Sequence, residues 1–332
     1  MAVLITGGSG FVGINAAEHL LGRGEEVVLF GPATPPPAAL AALQRAPGRL
    51  HVVAGDVGSA ADLDAVLKTH AVDRVVHGAA ITADIHREKR AARDIFMVNL
   101  IGTVELLEAA VRHQVRRVVQ LGTGSIFGAA GRAADVLDEQ TSAALPETLY
   151  GISKFAAERT GLRYRQTRDL NLTVVRLGMV FGRWEYDTGV RDTLSMPLQL
   201  LRVAENHGIA VIHSEAGDDW VYSVDVSRGL AAVLDLPAST EPVYHLSAGR
   251  RWSMADWCER LKQRFPRFIY RFSDVLEECT LGRNKPAPRP PMSIARILRD
   301  AGYAPAYLPE QAFADYMAWN EENKSAAAGL AG

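Results

Sequence analysis

The N-terminal stretch constrains the fold of this chain more than any other part of its sequence. A short apolar run, residues 2–5, leads into a glycine-rich turn at residues 6–13, and a helical pattern follows. In this context Gly7 permits a tight turn, Gly10 lets the backbone approach a pyrophosphate, and Gly13 allows close helix–strand packing. The helix N-terminus then offers free N–H groups to the phosphates. The stretch predicts a dinucleotide site, with a glycine-rich connector that binds nothing as the alternative.

Strand patterns alternate with helix patterns through the first half of the chain. Further strands are predicted at residues 26–30, 50–54, 74–77, 115–121 and 172–176, and a long helix at 91–113. This alternation predicts an α/β, Rossmann-type doubly wound parallel sheet with ligands at the carboxyl ends of its strands. Beyond residue 178 the pattern loosens, which predicts a smaller C-terminal α/β substrate lobe.

These patterns also predict the domain boundaries. We expect a dinucleotide-binding domain at residues 1–177, to which residues 224–247 return with one more strand. The substrate-binding lobe is then formed by residues 178–223 and 248–324, and it includes a proline-rich loop at 286–291. An Ala- and Gly-rich tail at 325–332 has nothing to bury and is expected to be flexible.

Candidate cofactor-binding residues stand at the ends of the predicted strands. Asp56 and Val57 follow the third strand, where an adenine ring would meet a carboxylate and a backbone N–H. Ala79 and Ala80 are small enough for a backbone that lies against a cofactor, although small residues also suit a tight turn. Gly31 stands where a ribose-binding carboxylate is expected, and it provides neither that carboxylate nor a cation for a 2′-phosphate. The sequence therefore leaves NAD and NADP open.

A second group of candidate residues lies between residues 121 and 154. Tyr150 and Lys154 are four residues apart, so on a helix they lie one turn apart on the same face. A lysine ammonium beside a phenol favours the phenolate and prepares the tyrosine to exchange a proton with a substrate hydroxyl or carbonyl. Thr123, at a strand end, can give the same oxygen a second hydrogen bond. Taken alone, such a pair is more often an exposed helical turn, and the glycine turn upstream makes it a catalytic candidate.

Composition argues against several classes of function. The formal net charge of −2 gives no reason to expect nucleic acid or an anionic membrane as a partner. Two cysteines, Cys258 and Cys279, are too few for a metal motif or a disulfide framework. No run approaches the roughly 20 apolar residues that span a bilayer, and no secretory signal is evident. We expect a cytoplasmic protein with a small-molecule substrate and no metal.

The glycine turn, the Thr123 strand end and the Tyr150–Lys154 pair together resemble the extended short-chain dehydrogenase/reductase family, and within it the NAD-dependent epimerase/dehydratase branch. The resemblance implies that Tyr150 is the general acid/base, that Lys154 binds the nicotinamide ribose, and that Thr123 orients the substrate oxygen. It implies cofactor contacts for Gly7, Gly10, Phe11, Val12, Asp56, Val57, Ala79, Ala80 and Asn99. It also implies a homodimer that pairs the 91–113 helix and the Tyr150 helix with their mates.

Departures from the family pattern bear on the substrate. Met179 stands where nucleotide-sugar members have an Asn for the diphosphate, and Asp218 stands where they have an Arg. Gly124 and Ser125 replace the Asp–Glu pair that follows the threonine in sugar-nucleotide dehydratases. We therefore expect an NAD(P)-dependent dehydrogenase that acts on a secondary alcohol or ketone of a small polar, sugar-like or sugar-acid-like substrate. A nucleotide-sugar epimerase with tightly bound cofactor is the alternative.

Candidate substrate-binding residues come from separate loops. Arginine side chains near the expected pocket mouth suit a carboxylate or a polyol, although the acidic residues around them make structural ion pairs the more common role. Aromatic residues after Asp218 either line the pocket or pack between the lobes. The candidates are His86, Ser125, Arg183, Arg191, Trp220 and Tyr222, with Arg87 as a further cation.

Overall fold

The computed structural model describes residues 1–213, 217–237, 241–282 and 289–330. The strands are β1 (Ala2–Thr6), β2 (Glu26–Gly31), β3 (Arg49–Ala54), β4 (Val72–His77), β5 (Arg117–Thr123), β6 (Leu172–Leu177), β7 (Met179–Phe181), β8 (Ile209–His213), β9 (Trp220–Tyr222), β10 (Val243–Leu246) and β11 (Ile269–Ser273). The helices are α1 (Phe11–Gly22), α2 (Pro37–Gln44), α3 (Ala60–Thr69), α4 (Ile85–Phe96), α5 (Gly102–Arg112), α6 (Leu149–Thr167), α7 (Met196–Glu205), α8 (Ser223–Asp235), α9 (Met254–Arg264), α10 (Ala295–Ala301) and α11 (Pro309–Leu330).

Seven strands form one sheet in the order β10-β6-β5-β4-β1-β2-β3, and every pairing in it is parallel. Strand order reverses beside β1, which is the arrangement of a doubly wound sheet. The Rossmann-type fold class predicted from the sequence is therefore confirmed. Because the strands are parallel, their carboxyl ends meet at one edge, and this edge carries the candidate site.

Burial of both faces explains why the central strands are continuous apolar runs. All five residues of β1 are at most 1% exposed. Val3 and Ile5 pack into one apolar cluster together with α1, whereas Leu4 points to a second cluster that includes α3 and α5. Because side chains alternate along each strand, α1 packs on one face of the sheet and α3 and α5 pack on the other.

The helix predicted at residues 91–113 has different bounds and a break in its geometry. Helix α4 begins at Ile85, where Asp84 caps its first turn, and a non-helical Ala91 (φ −141°, ψ 36°) kinks it. A π-helical turn, Met97–Ile101, joins it to α5. The predicted start was wrong because residues 86–94 are mostly charged and carry no apolar stripe to mark a helix. The π turn carries Asn99 toward the sheet edge.

The C-terminal elements pack around aromatic side chains. Two short parallel pairs, β7–β9 and β8–β11, stand beside the main sheet, and β10 returns to pair with β6 as predicted. The ring of Phe181 lies 5.2–6.3 Å from the rings of five other aromatic residues, namely Trp220, Tyr222, Trp252, Trp257 and Tyr316.

The structure leaves the predicted domain boundaries and the flexible tail as predictions. Helix α11 continues to Leu330, into the predicted tail, and residues 331–332 of that tail lie outside the described ranges. Residues 286–288 of the proline-rich loop also lie outside them. Among the residues that are described, no helix is long and apolar enough to cross a membrane, and no group of His, Cys, Asp and Glu could hold a metal ion.

Candidate active site

The turn between β1 and α1 is shaped by glycines. Gly7 has φ +68°, its N–H donates to the Phe30 carbonyl at 2.9 Å, and a Cβ there would lie 2.9 Å from the backbone of Ala79. A Cβ on Gly13 would lie 2.5 Å from the Gly7 carbonyl oxygen. Gly10 is the N-cap of α1, and no side chain caps the helix there. The first N–H groups of α1 thus face the sheet edge without side-chain acceptors, as an anion site requires.

Residues at the ends of β2 and β3 extend this groove. A Cβ on Gly31 would meet no atom closer than the Gly7 nitrogen at 4.0 Å, so the space beside β2 is open. Asp56 is exposed and its Oδ1 accepts the Gly58 N–H at 2.8 Å. Val57 is buried next to Gly102 of α5. A groove with small residues at its centre and a carboxylate near one end fits a dinucleotide.

Tyr150 and Lys154 lie in the first turns of α6. The hydroxyl oxygen of Thr148 accepts the Gly151 N–H at 3.0 Å and caps the helix just before Tyr150. Tyr150 is partly exposed, whereas Lys154 is only 3% exposed. Burial lowers the pKa of Lys154 to about 8, and the nearby Glu158 carboxylate opposes this shift. A buried ammonium one helical turn from an accessible phenol is the arrangement that acid–base chemistry by the tyrosine needs.

Asn99 connects the Tyr150 helix to the loop after β4. Its Oδ1 accepts the Ile81 N–H at 2.7 Å, and its Nδ2 donates to the Ile81 carbonyl and to Ser153 Oγ, each at 3.0 Å. The Ser153 hydroxyl donates in turn to the Tyr150 carbonyl at 2.9 Å. The buried amide therefore fixes the loop that carries Ala80 relative to the first turn of α6.

A buried ion pair lies behind Lys154. Arg176 donates two hydrogen bonds to Glu158, at 2.7 and 2.9 Å, and its guanidinium carbon lies 5.4 Å from the centre of the Phe127 ring. Glu158 is 1% exposed and lies one turn after Lys154 on α6. The sequence patterns gave no sign of this pair, because its members come from a helix and a strand whose pairing only the fold reveals.

The end of β5 brings Thr123 close to the substrate side of the sheet edge. Thr123 is 8% exposed, and its Oγ1 accepts the Ser125 N–H at 3.1 Å, so its own proton remains available to a substrate oxygen. A Cβ on Gly124 would lie 3.0 Å from both Arg289 Nη1 and Met292 Sδ. Arg289 therefore fills the space that an acidic side chain at position 124 would need.

A narrow cleft, partly open to solvent, continues from this point. It is lined by Leu137, Gly178, Met179, Asp218, Asp219, Arg289, Pro290 and Met292. Two of these, Met179 and Asp218, were singled out from the sequence as departures from the nucleotide-sugar pattern. Arg289 was missed, because a single arginine in a proline-rich loop has no local pattern that points to a site.

The arginines proposed as substrate residues all have carboxylate partners. Arg183 donates to both oxygens of Asp315, at 2.6 and 3.0 Å. The Nη2 of Arg191 lies 2.9 Å from Glu185 Oε1. The Arg191 guanidinium also lies over the Phe11 ring, at 5.0 Å from its centre. Arg87 donates two hydrogen bonds to Asp192, at 2.5 and 2.6 Å. The structure thus favours the ion-pair alternative for these side chains.

The other substrate candidates lie in different surroundings. Trp220 and Tyr222 are 2% and 1% exposed, and the Tyr222 hydroxyl donates to Asp315 at 2.5 Å. They pack in the aromatic core, which is the second of the two roles predicted for them. His86 is exposed on α4, and Ser125 is half-buried next to Thr123. A substrate role for these residues stays a prediction, and Ser125 is the one nearest to Thr123.

Residues 182–192, here called the crossing segment, connect the ends of β1 and β4. At one end the Tyr186 hydroxyl donates to the Ser9 carbonyl at 2.5 Å. At the other, Thr82 donates its N–H to the Val190 carbonyl at 2.8 Å and accepts from the Asp192 N–H at 3.1 Å. The segment therefore crosses the sheet edge above the glycine turn, where it limits access to the groove.

Comparisons with known proteins agree with this geometry. The model of the NAD dependent epimerase/dehydratase family matches residues 3–249. The dTDP-glucose 4,6-dehydratase of Actinoplanes sp. is 25% identical over 345 residues, which cover 98% of this chain and 99% of that protein. The dTDP-6-deoxy-L-talose 4-dehydrogenase (NAD(P)(+)) of Kitasatospora kifunensis is 28% identical and covers 74% of each chain. The crystal structure of DesIV (dTDP-glucose 4,6-dehydratase) from Streptomyces venezuelae with NAD and TYD bound has a TM-score of 0.80 at 25% identity, over 98% of each chain.

Proposed function

Because this chain belongs to the NAD-dependent epimerase/dehydratase family, we propose that it is an NAD(P)-dependent oxidoreductase. It interconverts a secondary alcohol and a ketone on a small polar, sugar-like or sugar-acid-like substrate. The observation that carries the proposal is the buried Lys154 one helical turn from the accessible Tyr150, beside the Thr123 strand end.

In this proposal Tyr150 is the general acid/base. Its phenol exchanges a proton with the substrate oxygen, and the Lys154 ammonium, shielded from water, stabilises the phenolate. The Thr123 hydroxyl, whose oxygen already accepts the Ser125 N–H, donates to the same substrate oxygen and orients it. Asn99 keeps the first turn of α6 in register with the loop after β4.

The residues at the sheet edge fit NAD(P). Glycines form a turn with no room for side chains, and α1 begins there without a side-chain cap. When bound, the nicotinamide ring supplies or accepts the hydride. The residues that would hold the cofactor are Gly7, Gly10, Phe11, Val12, Asp56, Val57, Ala79, Ala80, Asn99, Tyr150 and Lys154. Gly31, beside open space, leaves the choice between NAD and NADP open.

The charges of the cleft support a substrate without a diphosphate. Among the described residues that line it are Asp218, Asp219 and Arg289, and Met179 offers only a weak acceptor. A dianionic group would meet repulsion from these two acidic residues. Elimination chemistry also lacks its acid, because Arg289 lies beside Gly124 where that side chain would stand.

A second candidate is an epimerase that keeps its cofactor through each turnover. The crossing segment favours it, since Tyr186 and Val190 join that segment to both sides of the groove. A cofactor beneath the segment would exchange slowly, as suits a reaction in which the hydride returns to the same substrate. The epimerase would act on a nucleotide sugar, because the names of its relatives contain dTDP-linked sugars.

We also propose a homodimer. Met97, Ile101 and Ile152 are 40%, 38% and 38% exposed and lie on the π turn and on α6, the two helices expected to pair with their mates. Apolar side chains that form a contiguous exposed patch on adjacent helices mark an interaction surface, and a second copy would bury these three. Light scattering should give twice the chain mass, and Ile152→Lys should give the monomer; a wild-type monomer contradicts the proposal.

One experiment tests the function and separates the two candidates. Cofactor-stripped protein is loaded with NAD or NADP and offered sugars, sugar acids and nucleotide sugars, while cofactor absorbance and products are followed. A dehydrogenase changes absorbance in step with product, whereas an epimerase forms product with no net change. Tyr150→Phe should lower kcat by roughly 10²- to 10⁴-fold and leave cofactor binding unchanged. The matched control is Tyr164→Phe, whose hydroxyl bonds Glu108 further along α6. Full activity of Tyr150→Phe refutes both candidates.

A further inference from the structure

Arg289 has a place in the structure that the fold alone does not explain. Its Nη1 atom is shielded from solvent and, among the described residues, has no hydrogen-bond partner. Burial lowers the pKa of Arg289, which reflects the cost of holding its guanidinium away from water. A buried donor without an acceptor is rare in folded proteins and costs free energy until a partner supplies one. A ligand oxygen is such a partner.

The position of Nη1 relative to the catalytic residues defines where this oxygen would lie. Nη1 is 3.0 Å from the place of a Cβ on Gly124, and Gly124 directly follows Thr123. Thr123 ends β5 and Gly124 follows it directly, so Nη1 lies at the same strand end as the threonine proposed to orient the substrate oxygen. Tyr150 is also among the groups that raise the pKa of Arg289 against the effect of burial. We therefore expect the acceptor of Nη1 on the part of the substrate that lies near Thr123.

The charges around Arg289 favour an uncharged partner. Asp218, Tyr150 and Asp219 are the groups whose charges act on the guanidinium. Asp219 is held by the N–H groups of Ala248 and Met292, at 3.1 and 2.8 Å, so its carboxylate is fixed in the cleft wall. Among the described residues, Asp218 and Asp219 already place two carboxyl groups near the guanidinium, so an anionic ligand would meet repulsion that a hydroxyl or keto oxygen accepting from Nη1 would not.

We infer that Arg289 donates from Nη1 to a hydroxyl or keto oxygen of the substrate near its reacting carbon, so that the cleft selects a neutral polyhydroxy group, as in a sugar or polyol. The inference rests on the proposed function for the position of the reacting carbon. It makes Arg289 a specificity-determining residue. A site built to bond a substrate hydroxyl discriminates strongly against the analogue that lacks it, because the site's own donor is then left unpaired.

The test measures binding, so it does not depend on turnover. NAD-loaded protein is titrated by NMR with D-glucose and D-galactose, with their uronates, and with their monodeoxy analogues. We expect the hexoses to bind more tightly than the uronates, and Arg289→Met to weaken hexose binding by on the order of 10- to 100-fold. One monodeoxy sugar should lose a similar factor in the wild type and nothing further in Arg289→Met, because the two partners of one hydrogen bond are then removed together.

Three further variants protect the test against misfolding. Gly124→Asp places a carboxylate beside Nη1 and should block hexose binding while Gly124→Ala blocks it less. Arg117→Met removes another buried arginine, at the opposite end of β5, and should leave hexose binding unchanged. Tighter binding of uronates through Arg289, unchanged hexose binding in Arg289→Met, or no hexose binding at all overturns the inference. Arg289-dependent hexose binding without any turnover refutes the proposed function alone.

Discussion

Replacing Lys154 by methionine should stabilise the cofactor-free protein near neutral pH. The folded protein holds this ammonium away from water, and burial lowers the pKa of Lys154 from 10.5 to about 8. At about 1.4 kcal/mol for each tenfold change in proton affinity, that difference corresponds to about 3 kcal/mol. Methionine keeps most of the apolar packing and has no charge to desolvate. Glu158 keeps its two hydrogen bonds from Arg176, so no new unpaired carboxylate is created.

The sign of the pH dependence follows from proton linkage. Between pH 8 and 10.5 the unfolded chain holds a proton on Lys154 that the folded protein has released, so wild-type stability rises with pH across this range. The variant lacks this contribution. Its advantage should therefore be complete below pH 8 and disappear toward pH 10.5.

The assay is thermal unfolding of the cofactor-free proteins at several pH values. With an unfolding entropy of about 2.1 cal/mol/K per residue, 3 kcal/mol corresponds to a Tm increase of about 4 °C for a chain of 332 residues. Lys68→Met, on the exposed side of α3, is the matched control and should shift Tm by less than about 1 °C. A Lys154→Met variant that is no more stable than the wild type at pH 7, or a difference that stays constant up to pH 10.5, refutes the reasoning. Activity should be lost in the same variant.

Three other predictions follow from the contacts described above. Asn99→Leu leaves both backbone groups of Ile81 without their Asn99 partners and should lower the free energy of unfolding by about 2–4 kcal/mol in urea titrations. A loss under about 1 kcal/mol contradicts the structural role given to Asn99. Gly13→Ala places a methyl group 2.5 Å from a turn carbonyl and should weaken NAD binding by at least about tenfold in calorimetry, whereas Gly22→Ala, with open space around it, should not. Burial raises the pKa of the Cys258 thiol to about 12, so iodoacetamide should alkylate it only after unfolding; rapid labelling of the native protein contradicts this.

Local patterns were sufficient for the strand ends and insufficient for distant partners. The glycine turn and the spacing of Tyr150 and Lys154 carry their geometry within a few residues, and the structure has the predicted strand–turn–helix and helix start. The partner of Arg183 lies 132 residues away, so no periodicity could reveal it. Arg289 is a similar case, because Gly124, its neighbour in the structure, is distant from it in the sequence.

Short elements were missed for a different reason. Strand β11 (Ile269–Ser273) alternates partly exposed residues and pairs only with β8, so it has no apolar run to mark it. The turns after β5, Gly124–Ala133, contain a Gly128 at φ +44° and belong to no regular period. Both are held by tertiary contacts, which override local propensity.

The return of β10 has a consequence for how the protein is made. The sheet receives its last strand only at residues 243–246, after the chain has passed through β7, α7, β8, β9 and α8. Until these residues leave the ribosome, β6 is an open edge with unpaired N–H and C=O groups, which can recruit strands from other nascent chains. A stalled or truncated product that ends before residue 243 therefore keeps β6 as an unpaired edge strand. The nascent protein is consequently exposed to aggregation at β6 throughout the synthesis of residues 178–242.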